Sequence, residues 1–207
     1  MKPFLMTLIT TLGMATLAPA HAASSVDLSV SGLITPSACE PSLSNGGIYD
    51  LGKIAAKDLN VDQPTKLAEH TLQLSITCEA LTLLALKPRD NRLDSAGAVG
   101  TTRFGLGMAN ESVALGYMHL NLGSIVADGV GMYPIGSSGP STWAPTSMLS
   151  HYFLSSFSLN RNPMVPAPVK QLTAAVLISP TIAPSNTLPL TEEIPIDGSV
   201  TLSMNYL

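Results

Sequence analysis

The sequence predicts an all-β protein built as a β-sandwich, and three observations carry that expectation. Three segments alternate apolar and polar residues with period two, the pattern of strands that bury one face. Only 12% of the residues are charged, while glycine and proline number 16 each. These turn formers lie between short apolar runs, with no internal repeat or heptad. Many short strands separated by turn signals suit two stacked sheets better than a helical or α/β architecture.

Lys2 gives a short positive start, residues 4–17 are apolar and almost uncharged, and Ala20-His21-Ala22 is an A-x-A cleavage site. That order predicts a signal peptide over residues 1–22 and a mature chain from Ala23. The apolar stretch is too short for a transmembrane helix, and no second long one follows. The remaining length of about 185 residues suits one domain. We expect an N-terminal extension over residues 23–34 and a folded domain over residues 35–207.

The first alternating segment places Val26, Leu28, Val30, Gly32 and Ile34 on one face, with Asp27, Ser29 and Ser31 opposite. In the second, Leu72, Leu74, Ile76 and Cys78 share a face. In the third, Val200, Leu202, Met204 and Tyr206 do so. Each predicts a strand with one side on a core.

Weaker signals lie between them. Residues 81–86 read as a short buried strand, and residues 103–108 and 112–122 as two strands joined by a turn. Residues 172–178 read as a strand ended by Pro180. Residues 136–145 read as a loop. Periodicity leaves residues 147–157 open between a short helix and a strand. Pro163, Pro166 and Pro168 exclude a central strand over residues 162–168.

Export to an oxidising compartment makes a disulfide the expected state of the two cysteines, Cys39 and Cys78. It closes a loop of about 40 residues, which the chain-entropy model values at roughly 4 kcal/mol. The absence of CxxC spacing argues against a redox or metal role.

The net charge is −4 and basic runs are absent, which argues against nucleic acid as a partner. His70, His119 and His151 have no partners at metal-ligand spacing. No G-x-S-x-G elbow is present, and Gly105-Leu106-Gly107 lacks the third glycine of a nucleotide cradle. Asp90 and Asp94, beside Arg89 and Arg92, read as a solvated charged loop rather than a cation site. Asn110-Glu111-Ser112 has meaning as a glycosylation acceptor only in a eukaryotic secretory setting. No catalytic, cofactor-binding or metal residue is expected, and no enzymatic activity.

Each outer alternating segment lies at an end of the mature chain. Such a strand can pair within its own domain or add to the open sheet edge of another chain. At this point the residues resemble a family. The run of residues 26–34 followed by Cys39 is similar to the N-terminus of chaperone–usher fimbrial (pilin) subunits, with Gly32 seven residues before the first cysteine. Cys78 at the end of an alternating strand and Tyr206 in the penultimate position match as well. The resemblance covers both ends and the first third of the mature chain, and residues 85–186 do not align. Residues 192–198 also resemble poorly characterised fimbrial-like exported proteins.

The resemblance implies an immunoglobulin-like sandwich lacking its last strand. A periplasmic chaperone, and then the leading strand of a neighbouring pilin subunit, fills the groove at an outer-membrane usher. By position, Val26, Leu28, Val30 and Ile34 are the inserting side chains, and Gly32 permits close backbone approach. Val200, Leu202, Met204 and Tyr206 border the groove and meet the chaperone. The implied function is that of a structural subunit of a surface fimbria, assembled by donor-strand exchange and contributing to adhesion.

Two other readings stand beside it. Residues 26–34 can be the first strand of a sandwich that closes on itself. The chain can also be an exported adhesive or carbohydrate-binding module that does not polymerise, using Tyr133, Trp143 and Tyr152.

Overall fold

The computed structural model describes residue 29 and residues 38–97, 100–139 and 141–207. The strand expected over residues 26–34, with Val26, Leu28, Val30, Gly32 and Ile34, therefore lies outside the described residues except for Ser29. The described fold belongs to the compact unit Thr35–Leu207.

This unit is an all-β sandwich. Its strands are β1 (Cys39–Leu43), β2 (Thr65–Lys66), β3 (His70–Thr82), β4 (Leu84–Asp90), β5 (Phe104–Gly105), β6 (Met108–Ala109), β7 (Val113–Ala114), β8 (Gly116–Ala127), β9 (Val130–Gly131), β10 (Tyr133–Ser137), β11 (Ala144–Pro145), β12 (Leu154–Ser158), β13 (Val169–Ile182) and β14 (Val200–Tyr206). One sheet runs β1-β3-β13-β8-β5, with β2 on β13 and β9 on β8; the other runs β11-β10-β12-β4-β14. A small hairpin, β6-β7, stands apart.

The core sits between the sheets because their inner residues alternate with outer ones. Along β3, Leu72, Leu74, Ile76 and Cys78 are buried while Thr71, Gln73 and Thr77 are exposed. Along β13, Leu172, Ala174, Val176 and Ile178 are buried in the same cluster. The facing sheet contributes Leu84, Leu86 and Phe157. Phe104, Phe157, Leu74 and Ile76 are at most 1% exposed, so the centre of the sandwich is closed to bulk solvent.

The disulfide Cys39–Cys78 joins β1 to β3, where the two residues are direct partners in the antiparallel register. The turns follow their backbone demands. Asn110 and Glu111 both adopt positive φ (49° and 59°) between β6 and β7, as do Asp128 and Gly129 (51° and 80°) between β8 and β9. Two positive-φ residues in a row are the requirement of a tight I′-type hairpin, and the right-handed twist of the flanking strands favours that form.

Several elements differ from the sequence expectation. Residues 81–86 are not one buried strand: Leu81 and Leu83 are exposed, Leu83 is the break between β3 and β4, and Leu84 and Leu86 enter the core while Ala85 is buried outside that cluster. Alternation decides this, since a continuous apolar run crossing a break cannot face inward throughout. Residues 103–108 and 112–122 resolve into β5, β6, β7 and the start of β8. Residues 136–145 are not wholly loop, because they hold the end of β10 and all of β11. Residues 147–157 form no helix; they contain an isolated bridge, Asn121 to Met148, and most of β12.

Pro180 does not end its strand, for β13 continues to Ile182. The β3 ladder stops at His70 opposite Ile178, and the Pro180 carbonyl accepts a bond from Leu67 N–H on that side. N–H and C=O of one residue in an antiparallel strand point the same way. The missing donor of Pro180 therefore faces a position beyond the end of β3, and proline is tolerated there.

Candidate functional site

The feature that stands out is a cleft along one side of the sandwich. β14 pairs with β4 over seven residues, from Val200↔Asp90 to Tyr206↔Leu84. Among the described residues its other edge has no strand partner, and β14 ends its sheet. In the facing sheet β1 is likewise terminal, paired only with β3. The order β1-β3-β13-β8 over β4-β14 is the ABED-over-CF arrangement of an immunoglobulin-type sandwich, and the slot beside β14 corresponds to the strand that would complete it.

These two terminal strands meet at one end and are separated by cavities farther along. At one end the Tyr206 hydroxyl accepts a hydrogen bond from Cys39 N–H at 3.1 Å, which ties β14 to β1 beside the disulfide. In the middle, Leu202 faces Pro41, Leu43 and Leu74 across a cavity of about 350 Å³. Beyond Val200 the cleft opens into a cavity of about 970 Å³. Its floor is Leu72, Leu120, Val176 and Ile178 of the β1 sheet. Leu106, Leu115 and Met118 line its far wall.

The side chains named from the sequence fall along this cleft. Val200, Leu202 and Met204 are half-buried and pack against the main core, together with Cys39, Leu43 and Tyr49 from the opposite edge. Tyr206 is 36% exposed, with its ring at the rim and its hydroxyl bonded to β1. Among the described residues this half-exposed apolar row lies on an edge without a strand partner, where ladder groups and side-chain surface remain to be covered.

One lip of the cleft is pinned by a polar knot that sequence reasoning missed. Asp90 does not sit in a solvated loop. It is 8% exposed, and its carboxylate accepts from Arg92 N–H (2.8 Å) and Gly105 N–H (2.9 Å). Arg92 then reaches Asp197 through Nε (2.9 Å) and Nη2 (2.5 Å), just ahead of β14. Asp197 N–H donates to Leu106 O, and Asn91 N–H to Ser199 O. Gly105 has a structural reason to be glycine, since a Cβ there would lie 2.2 Å from both Arg92 O and Ser95 Oγ. Nothing local in the sequence marks the knot, because Arg92 and Asp197 are 105 residues apart.

The histidines do not gather. His70 stacks on Tyr49 at 4.0 Å, His119 Nδ1 lies 2.9 Å from Thr102 O, and His151 stands edge-on to Phe104. None of the three lines either cavity. Among the described residues no group of three or more His, Cys, Asp or Glu is placed to hold a metal ion.

The three aromatics considered for glycan contact are also dispersed. Tyr133 begins β10 opposite Ser158, with Arg161 over its ring at 4.7 Å. Trp143 precedes β11, whose Ala144 pairs with Gly136 near the other end of β10. Tyr152 lies in the turn before β12. Tyr133 and Trp143 are thus separated along β10 by several residues, or roughly 10–13 Å.

Comparison with known proteins finds a partial family match and two similar Escherichia coli proteins. Residues 28–104 match a family described as a protein of unknown function (DUF1120), a span that takes in both cysteines, β3 and β4. The chain is 28% identical to protein GltF of Escherichia coli (strain K12) over an alignment of 223 residues, covering 87% of this chain and 88% of that protein. It is 36% identical over 76 residues to uncharacterized protein YhcF of the same organism, covering 37% of this chain and 32% of that protein. The family match covers the disulfide-bearing part of the sandwich, and none of these descriptions names an activity.

Proposed function

We propose that the chain is an exported structural subunit of a bacterial surface fimbria, completed by a strand donated from a neighbouring copy and without enzymatic activity. The observation that supports this most is the cleft: an apolar floor beside the edge of β14 that has no strand partner among the described residues, opposite the equally terminal β1. An extended segment with apolar residues at alternate positions suits such a site, since its main chain extends the ladder and its side chains fill the floor. Residues 26–34 have that pattern.

Four apolar side chains buried at about 1.5–3 kcal/mol each supply roughly 6–12 kcal/mol before ordering entropy. On this reading the donor residues are Val26, Leu28, Val30 and Ile34, with Gly32 at the closest backbone approach. A periplasmic chaperone covers Val200, Leu202, Met204 and Tyr206 until exchange occurs at an outer-membrane usher. The route runs through the periplasm to the cell surface.

The test removes residues 24–30 while leaving the folded unit intact. The shortened chain should fold, keep its disulfide and remain monomeric, whereas the full chain assembles. Assembly of the shortened chain at the normal rate would refute the reading.

A further inference from the structure

The two lips of the wide cavity are held in very different ways. The lip ahead of β14 is fixed by the Asp90–Arg92–Asp197 knot and by main-chain bonds to Leu106 and Asn91. Among the described residues, the other lip, residues 48–59, is held by hydrogen bonds flanking its two ends and by Tyr49 stacked on His70 at 4.0 Å near its start. Gln73 N–H donates to Ser44 Oγ at 2.9 Å before it, and Ser185 N–H donates to Asn60 O at 2.9 Å after it.

Within residues 48–59 the main-chain bonds are local: Ile48 N–H to Asn45 O, Gly52 N–H to Asp50 Oδ1, Asp58 N–H to Ala55 O and Leu59 N–H to Ala56 O. Among the described residues, the hydrogen bond that crosses from this segment to the opposite lip is Lys53 Nζ to Glu193 Oε1 at 3.0 Å. Both side chains are 91% exposed, so the pair is water-screened and weak.

The segment also has a hinge and an apolar underside. Asn45, Gly46 and Gly47 carry positive φ in succession (53°, 62° and 78°), a tight turn where β1 ends. Tyr49, Leu51 and Ile54 are half-buried and line the cavity above Leu72, Leu120, Val176 and Ile178. A segment with few outside hydrogen bonds and shallow burial opens at low free energy.

We propose that residues 48–59 are a displaceable strap over the wide end of the cleft. In the free chain Leu51 and Ile54 shield the floor. An extended, alternately apolar segment displaces them on entry, and Lys53–Glu193 latches the strap shut. This rests on the reading of the cleft as a strand receiver. It adds a gate that keeps the apolar floor from non-specific contacts until an occupant arrives.

Hydrogen exchange on the full chain, recovered after export and with no partner added, tests the strap itself. Amides of residues 49–57 should exchange at least ~100-fold faster than those of β3 and β13. Protection equal to those strands overturns the proposal.

A synthetic peptide of residues 24–35 then tests gating. K53E should speed its association about two- to five-fold, and K53E/E193K should return it to the original rate. K53C/E193C, joined by a short bis-maleimide, should slow association by ~10-fold or more. Unchanged association in the joined variant overturns the gate while leaving the cleft reading intact. A peptide that fails to bind the unjoined chain removes the cleft reading instead, and the exchange result still decides the strap.

Discussion

Replacing both Cys39 and Cys78 by alanine should lower the unfolding free energy by about 4–5 kcal/mol. The sequence separation of 39 closes a loop whose lost freedom in the unfolded chain is worth about 4 kcal/mol at 25 °C. Cys78 is 2% exposed, so deleting its sulfur adds about 1 kcal/mol of lost packing. Little else holds β1. It has five register partners on β3, but Glu40, Pro41 and Ser42 are exposed, and Cys39 and Leu43 are only half-buried. With a urea slope of about 2 kcal/mol per molar, the midpoint should fall by about 2 M. The assay is equilibrium urea unfolding followed by far-ultraviolet circular dichroism and by the fluorescence of Trp143, whose coincidence checks two-state behaviour. The slope should rise, because the unlinked unfolded chain exposes more surface. Loss of amide protection should be greatest in β1, since its edge and the Cys39–Tyr206 bond depend on the link. A midpoint shift under about 0.5 M would refute the argument, showing that the link does not restrict the unfolded chain.

Other substitutions probe separate parts of the fold. Phe157→Ala, at a position 1% exposed in the core, should cost about 3–5 kcal/mol in the same urea assay. Gly116→Ala should destabilise by about 3 kcal/mol or more, or prevent soluble expression. Gly116 has φ of 142°, and a Cβ there would lie 2.1 Å from Thr181 O. Asp90→Ala should cost about 2–4 kcal/mol by leaving the N–H groups of Arg92 and Gly105 without their acceptor, and thermal denaturation would show it. Tyr206→Phe keeps the ring and removes the bond to Cys39 N–H. It should cost only about 1 kcal/mol, yet speed exchange of the Cys39 amide selectively.

Much of the architecture could be read from the residues because strand patterning is a local property. The alternation of β3 and β14 and the pairing of the two cysteines needed only neighbours in sequence and a compartment. Where local signals failed, a non-local partner had decided the outcome. Pro180 stays within β13 because β3 has already ended beside it. The middle of the chain was hardest to read, since β5, β6, β7, β9 and β11 are two residues each, too short for any periodicity.

The candidate site divides the same way. The half-exposed apolar row of β14 is visible in the alternation of Val200, Leu202, Met204 and Tyr206, a period set by the pleat itself. That this row borders an open cleft is a matter of sheet order, which depends on which strands pair across more than a hundred residues. The Arg92–Asp197 knot and the asymmetry between the two lips were likewise decided only in three dimensions. Their partners are distant in the chain, and hydrogen bonds act over a few ångströms of space whatever the separation in sequence.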